Sequence, residues 1–326
     1  MARKRNDSDP DSLTTEIALV CFLACVLVYM AASALIDNRF YLQSDAESTG
    51  PVISSGRSVN SCCEGIENLE LMGEDVKVLK VNTARECCQA CKETCVENVD
   101  NCPCNSWVFC GNKRLCDAKF GECRLRRQED ALVPVKRQAR MWTSGLNFGK
   151  REGVVGLKTT YGTIHIQLLP ECSPSSALFI LDLLRFGNCV GCKFYRAEGR
   201  GNFWDAGGNH INGARFGPPY ALVQGTLDAF GMPPDIRDEY QPRVVSGSVA
   251  WVGSGPDFFV SLANHSEWRG RYTVFGSVLP EDMWVLDKMT MLPAKKDVWK
   301  HIRVTVLREH VPISVRRRSD SSSLHL

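Results

Sequence analysis

Residues 153–187 read GVVGLKTTYGTIHIQLLPECSPSSALFILDLLRFG, and the fold of the C-terminal half turns on how this run divides. Val155, Leu157 and Thr159 alternate with their neighbours, Tyr161-Gly162 supplies a turn, and Ile164, Ile166 and Leu168 alternate again. Period two on both sides of a turn is the pattern of a β-hairpin with one buried face. After it the period changes. Ser173 can cap a helix, Pro174 takes the first helical position, where its missing N–H costs nothing, and Ala177, Leu178, Ile180, Leu181 and Leu184 form an apolar stripe ending at Gly187. A hairpin followed by such a helix argues for a sheet with the helix laid over one of its openings.

Outward from this run, Pro280 to Met291 places Met283, Leu286 and Met289 at helical core spacing, and Ile302, Val304 and Val306 alternate as a last strand. Further fragments fall in a fixed order: Thr160-Tyr161-Gly162-Thr163-Ile164, Ser173-Pro174, Lys193-Phe194-Tyr195-Arg196, Gly207-Gly208-Asn209, Gly247-Ser248-Val249-Ala250-Trp251, Gly255-Pro256-Asp257-Phe258-Phe259-Val260 and Tyr272-Thr273-Val274-Phe275-Gly276-Ser277-Val278. In order, spacing and turn residues they resemble the cyclophilin-type peptidyl-prolyl cis-trans isomerases over residues 153–312. The resemblance implies a mainly β fold, an eight-stranded antiparallel barrel closed on itself with a helix capping each end.

The chemistry of that family follows from the peptide bond. Rotation about X-Pro faces a barrier of about 18–20 kcal/mol because amide resonance is lost, while the two isomers differ by only about 0.5–1 kcal/mol. Such a reaction needs no nucleophile, cofactor or metal. It needs an apolar pocket for the proline ring and a fixed cationic donor that favours the twisted amide over the planar one. The resemblance implies that Arg196 is this donor, that Phe203, Trp204 and Phe259 form the pocket, that Trp268 stands on its rim, and that Tyr272 takes a place where His is common. Clients would be proline-containing proteins or peptides.

The departures from the pattern bear on activity. The Gln that precedes Gly-Gly in the family is matched here by Ala206, with two extra residues between Arg196 and Gly207, the Met-Ala-Asn-Ala loop reads Trp251-Val252-Gly253-Ser254, and a polar stretch has shrunk to Asp257. Each lost contact to the substrate backbone would cost roughly 1–3 kcal/mol if a buried partner is left unpaired. Two readings of the aromatic and charged residues stay open. Phe203 and Phe259 serve a core as well as a pocket, and Arg196 can pair with Asp257 or Glu198 as well as serve a substrate. Cys189-Val190-Gly191-Cys192 follows a helix C-terminus, where nothing lowers a thiol pKa, so structural disulfides compete there with thiol exchange.

The other cysteines are clustered. Of 16 in the chain, eleven lie between Cys62 and Cys123. Thr83-Ala84-Arg85-Glu86 is a capping box, in which Thr83 caps a short helix and Glu86 reaches back to the Thr83 amide. Cys87, Cys88 and Cys91 then share one helix face and are disulfide candidates with Cys110, Cys116 and Cys123, the first of these closing the strand-like run Asn105–Cys110. The order of a Cys-bearing helix, Cys-x-Ser-Trp-x-Phe-Cys and Gly-Glu-Cys-x-Leu resembles the PAN/apple domain over residues 62–146. That resemblance implies a small disulfide-rich α+β module that binds protein or carbohydrate. Eleven cysteines exceed the family pattern, so one is available to another domain or chain. Cys102-Pro103-Cys104 and the two cysteine doublets do not form paired C-x-x-C knuckles, so no metal site is assigned.

Residues 17–36, IALVCFLACVLVYMAASALI, hold twenty residues without a charge, enough for one transmembrane helix. Arg3, Lys4 and Arg5 precede it, which predicts a cytoplasmic tail at 1–16, a signal anchor, a stalk at 37–60 and folded domains in the lumen of the ER or Golgi. A cleaved signal peptide ending near Ala32-Ser33-Ala34 is the competing reading. Asn264-His265-Ser266 then becomes a glycosylation acceptor. The tail 313–326 reads as disordered, its Arg316-Arg317-Arg318 run solvated. With 39 Lys+Arg against 37 Asp+Glu and a net charge of +2, the chain offers no field for nucleic acid. The reading at this stage is a membrane-anchored isomerase with a divergent site. A barrel that binds peptide or glycan without turnover is the alternative.

Overall fold

The computed structural model describes residues 62–95, 102–149, 152–187, 189–229 and 239–318. Residues 62–147 build a five-stranded antiparallel sheet from β1 (Ile66–Leu71), β2 (Glu74–Lys80), β3 (Ser106–Cys110), β4 (Glu122–Arg127) and β5 (Lys136–Leu146), in the order β1-β5-β3-β4-β2. Helix α1 (Ala84–Glu93) packs across it, and a single helical turn, α2 (Lys113–Cys116), follows β3. Thr83 Oγ accepts from Glu86 N–H at 3.1 Å as the capping box requires, but the Glu86 carboxylate accepts from Asn82 N–H at 2.9 Å, one residue earlier than expected. Trp107 is fully buried between two glycines: a Cβ on Gly65 or Gly145 would come within 2.6 Å of its ring.

The cysteines of α1 all bridge, and to three separate places: Cys87 to Cys123 on β4, Cys88 to Cys63, and Cys91 to Cys104. Cys95–Cys102 and Cys110–Cys116 close short loops, and Cys62–Cys172 joins this region to the next. These bridges make residues 62–147 a disulfide-rich α+β region.

Residues 154–317 form a ten-stranded sheet: β6 (Val154–Thr159), β7 (Gly162–Leu168), β8 (Lys193–Glu198), β9 (Leu222–Thr226), β10 (Ser248–Trp251), β11 (Asp257–Ser261), β12 (Val274–Val278), β13 (Ala294–Trp299), β14 (Ile302–Pro312) and β15 (Ser314–Arg317). Every ladder is antiparallel, and the order is β13-β14-β8-β9-β11-β10-β12-β7-β6-β15. Helix α3 (Pro174–Phe186) ends at Gly187 in the left-handed conformation, and α4 (Met283–Met289) packs beside β7. Ser173 does not cap α3. Its hydroxyl donates to Val274 C=O, and the first helical amides, Ser175 N–H and Ser176 N–H, donate to the Glu239 carboxylate at 2.7 and 3.1 Å.

Three expectations are corrected. Among the described residues the sheet is not a closed eight-stranded barrel: it has ten strands with β13 and β15 as its edges, and no ladder joins those edges. The last run spans both ends of the strand order instead: β14 pairs with β8, shifts register between Val306 and Val311, and passes through Ile313 into β15, which pairs with β6. The tail is not disordered from residue 313. Ile313 and Val315 are buried, and Arg317 is ion-paired with Asp130, which that guanidinium holds below the usual carboxylate range.

The third concerns the membrane. Among the described residues no helix is long and apolar enough to cross one. The longest helix among the described residues, the 13-residue α3, spans about 20 Å against a bilayer core of about 30 Å. The transmembrane helix expected at residues 17–36, on which the lumenal ER or Golgi placement rested, is not among these helices. Residues 1–61, which carry the apolar run and the stalk, lie outside the described residues.

Buried side chains from both sheets form one cluster, from Leu69, Leu71, Trp142 and Leu146 to Val155, Leu157, Leu178 and Leu181. The second sheet thus rests on the first through apolar packing as well as through Cys62–Cys172.

Candidate functional site

Strand β8 lies between β14 and β9, and its register against β9 shifts between Phe194 and Arg196. Such a bulge sets two residues against one and re-aims a side chain. Here Tyr195 and Arg196 both reach Gln224 on β9. Arg196 Nη1 donates to Gln224 Oε1 at 2.9 Å, and Gln224 Nε2 donates to the Tyr195 hydroxyl at 2.8 Å. Burial, and next the Asp257 carboxylate, push the Tyr195 phenol well above its ordinary range, so it stays neutral.

Arg196 is 8% exposed and its Nε donates to Glu198 Oε1 at 3.2 Å. The Glu198 carboxylate also accepts from Thr305 N–H and Tyr220 N–H, each at 2.7 Å, which satisfies a charge buried on this strand. The guanidinium carbon lies 5.5 Å from the ring centres of both Tyr220 and Trp299. Among the described residues no partner is recorded for Nη2, so two N–H donors on a rigidly held cation remain unspent.

Next to Arg196 stands an aromatic cup. Phe259 on β11 meets Trp268 edge-on at 5.6 Å and Tyr272 at 5.0 Å, and those two rings are 5.5 Å apart. Leu222, Val244, Ala250 and Val274 complete the cup, and Tyr220, which lies against Arg196, packs on it. Burial raises the Tyr272 pKa, opposed by the charges of Arg271 and Arg196. His265, fully buried, stacks on Trp268 at 3.6 Å and gives its Nδ1 to Glu267 at 2.6 Å. Burial holds its pKa below the ordinary value against the pull of that carboxylate.

Of the expected site residues, Arg196, Phe259, Trp268 and Tyr272 come together. Phe203 and Trp204 fall in a different cluster from Phe259, Trp268 and Tyr272. They lie between β8 and β9 in residues 199–221, where Trp204 packs edge-on to His210 at 5.7 Å and His265 at 5.1 Å, as part of the large core. This long connection also displaces the expected match at Ala206-Gly207-Gly208. The glutamine that stands beside the arginine is Gln224, followed by Gly225. Gln224-Gly225 was there to be read, but only strand pairing shows that it faces Arg196. Trp299, Tyr220 and Glu198 were missed as site residues, since nothing local marks them.

The remaining candidates fall elsewhere. Asn264 Oδ1 accepts from Ser246 N–H and its Nδ2 donates to Asn209 Oδ1, both at 2.9 Å, so its amide is engaged. Cys189 and Cys192 are bridged to each other.

Residues 154–311 match the family model described as cyclophilin type peptidyl-prolyl cis-trans isomerase/CLD. The chain is similar to peptidyl-prolyl cis-trans isomerase-like 3 of Gallus gallus, 27% identical over 154 residues that make up 45% of this chain and 87% of that protein. The Homo sapiens protein of the same name is 26% identical over 158 residues, with the same shares of 45% and 87%. Among solved structures, a cyclophilin type peptidyl-prolyl cis-trans isomerase of Cryptosporidium parvum aligns at a TM-score of 0.34 and 14% identity, over 51% of this chain and 98% of that one.

Proposed function

We propose, from the match of residues 154–311 to the cyclophilin-type family model, that this region is a peptidyl-prolyl cis-trans isomerase acting on proline-containing polypeptides during their folding. The observation that carries the proposal is the Arg196 guanidinium, fixed by Glu198 and Gln224 with Nη2 unspent beside the cup of Phe259, Trp268 and Tyr272. A proline ring enters the cup. As the amide twists, its nitrogen loses conjugation and becomes pyramidal, and the unspent Arg196 donors stabilise this form more than the planar one. Holding the cation rigidly means that no reorganisation is needed when the bond turns.

The test is a proline tetrapeptide assay on the full chain beside Arg196→Ala. Removing a preorganised donor of this kind is expected to lower kcat/KM by about 100-fold. Because the truncation strands a buried Glu198, Arg196→Ala/Glu198→Gln is measured as well and should show the same loss with the fold intact. Equal rates from wild type and both variants overturn the mechanism.

A second reading, recognition without turnover, is favoured by the placement of the guanidinium between Tyr220 and Trp299, where it is mostly covered. Peptide binding with no acceleration above the uncatalysed rate would establish it. The disulfide-rich region, through its resemblance to PAN/apple modules, would under either reading hold a protein or carbohydrate ligand near the site.

A further inference from the structure

Between Val306 and Val311 strand β14 advances five residues while its partner β8 moves only from Arg196 to Phe194. The excess length bulges away from β8, and beside it lies a concavity of about 380 Å³ lined by Lys193, Lys295, Arg308, His310, Tyr195 and Trp299, among others. Lys193, Lys295 and Arg308 come from three different strands, and no carboxylate is recorded in ion-pair contact with any of them among the described residues. The one acidic lining residue, Asp297, is spent on its own hairpin: Oδ1 accepts from Val298 N–H at 2.8 Å and Oδ2 from Trp299 Nε1 at 3.2 Å. What remains is a concave surface on which three cations outnumber the single Asp297 carboxylate.

This surface is continuous with the arginine site. Trp299 flanks both the concavity and the Arg196 guanidinium, and the Tyr195 hydroxyl on its wall is tied to Arg196 through Gln224. A polypeptide whose proline occupies the cup and whose chain runs on past Arg196 and Trp299 would meet Lys193, Lys295 and Arg308. We propose that this concavity is a specificity subsite that takes an anionic side chain, carboxylate or phosphate, on a residue flanking the isomerised proline. The inference rests on the isomerase reading for its consequence in turnover, and on the charge arrangement alone for binding.

The test uses the full chain with peptides of one proline core that carry serine, glutamate or phosphoserine within four residues on either side of the proline. The ratio of kcat/KM for the anionic peptide to that for the serine peptide is expected to be about tenfold at low ionic strength, to appear mainly in KM, and to decline with added salt. In Lys295→Glu/Arg308→Glu the ratio should fall to about one or below. A wild-type ratio near one, or a ratio unchanged by the double charge reversal, overturns the subsite. Enhancement by both glutamate and phosphoserine assigns a general anion site, and enhancement by phosphoserine alone assigns a phosphate site. If no peptide is turned over, the isomerase reading fails separately, and calorimetric binding of the same peptides still decides the subsite: equal affinity for the serine, glutamate and phosphoserine peptides rejects it.

Discussion

Helices α1 and α3 each lie on a sheet, yet they are held there by different means. The buried residues of α1 are Cys87, Cys88 and Cys91, and each is covalently tied to a different segment. On α3 the buried residues include Ala177, Leu178, Ile180, Leu181, Leu183 and Leu184, and none is cross-linked. An aliphatic side chain removed from water contributes roughly 1.5–3 kcal/mol, so α3 is stabilised by its own stripe. Helix α1 has no such stripe and depends on restricting the unfolded chain. The same contrast runs through the two regions: five bridges lie wholly within residues 62–147, whereas residues 154–317 contain only the local Cys189–Cys192 bridge.

The sharpest way to break this comparison is to remove one long bridge. Cys87→Ser/Cys123→Ser opens a loop of 36 residues, for which chain entropy gives roughly 4 kcal/mol. Denaturant unfolding should show the first region melting separately and earlier, while the proposed isomerase activity persists in the second. A single unshifted transition would show that α1 does not need its cross-links. In α3 the matching change is Leu181→Ala, expected to cost about 3 kcal/mol through lost transfer energy and a residual cavity. There the loss should fall on the second region and its activity together, read by the same titration. A loss confined to the first region would contradict the assignment of α3 to the ten-stranded sheet.

How much of this was legible in the sequence depended on how local the cause was. The hairpin β6–β7, the stripe of α3 and the cap of α1 are set by periods and offsets within a few residues, so Val155 to Leu168 and Thr83 to Glu86 could be read directly. Strand β13 could not. Its sequence AKKDVW is largely exposed at an edge, so neither alternation nor a turn signal marks it. Strand β15 read as tail because its four residues include two arginines, and only the burial of Val315 and the Arg317–Asp130 pair explain why it stays on β6. At the site, Arg196 was legible from its local motif. Gln224 was not, because its place beside Arg196 is set by β8–β9 pairing across an intervening segment of more than twenty residues.

The smallest expected effect separates the two regions by how each treats a buried charge. In the first, Arg126 is buried and engaged through Nε and Nη1, with Glu70 at 3.1 Å, Asp75 at 2.7 Å and the Leu71 carbonyl. In the second, His265 is fully buried with Nδ1 on Glu267. Burial lowers its pKa below 6.5, and Glu267 only partly offsets this. Between the lowered folded value and the unfolded one, the unfolded chain binds more protons, so stability rises with pH across that window. His265 therefore contributes its full stabilisation above the unfolded value and loses it as pH falls through the folded one, with a slope of at most about 1.4 kcal/mol per pH unit. His265→Asn keeps a donor for Glu267 and removes the titration, so its stability should lack that slope in urea unfolding followed between roughly pH 5.5 and 8. Because the ring stacks on Trp268 at the edge of the cup, peptide KM should rise in wild type only as pH falls through the folded value, where the buried ring takes up its proton, and stay flat in the variant. Stability that is level or falling with pH in wild type, or an identical slope in both proteins, would remove His265 from this account and leave the cup supported by apolar packing alone.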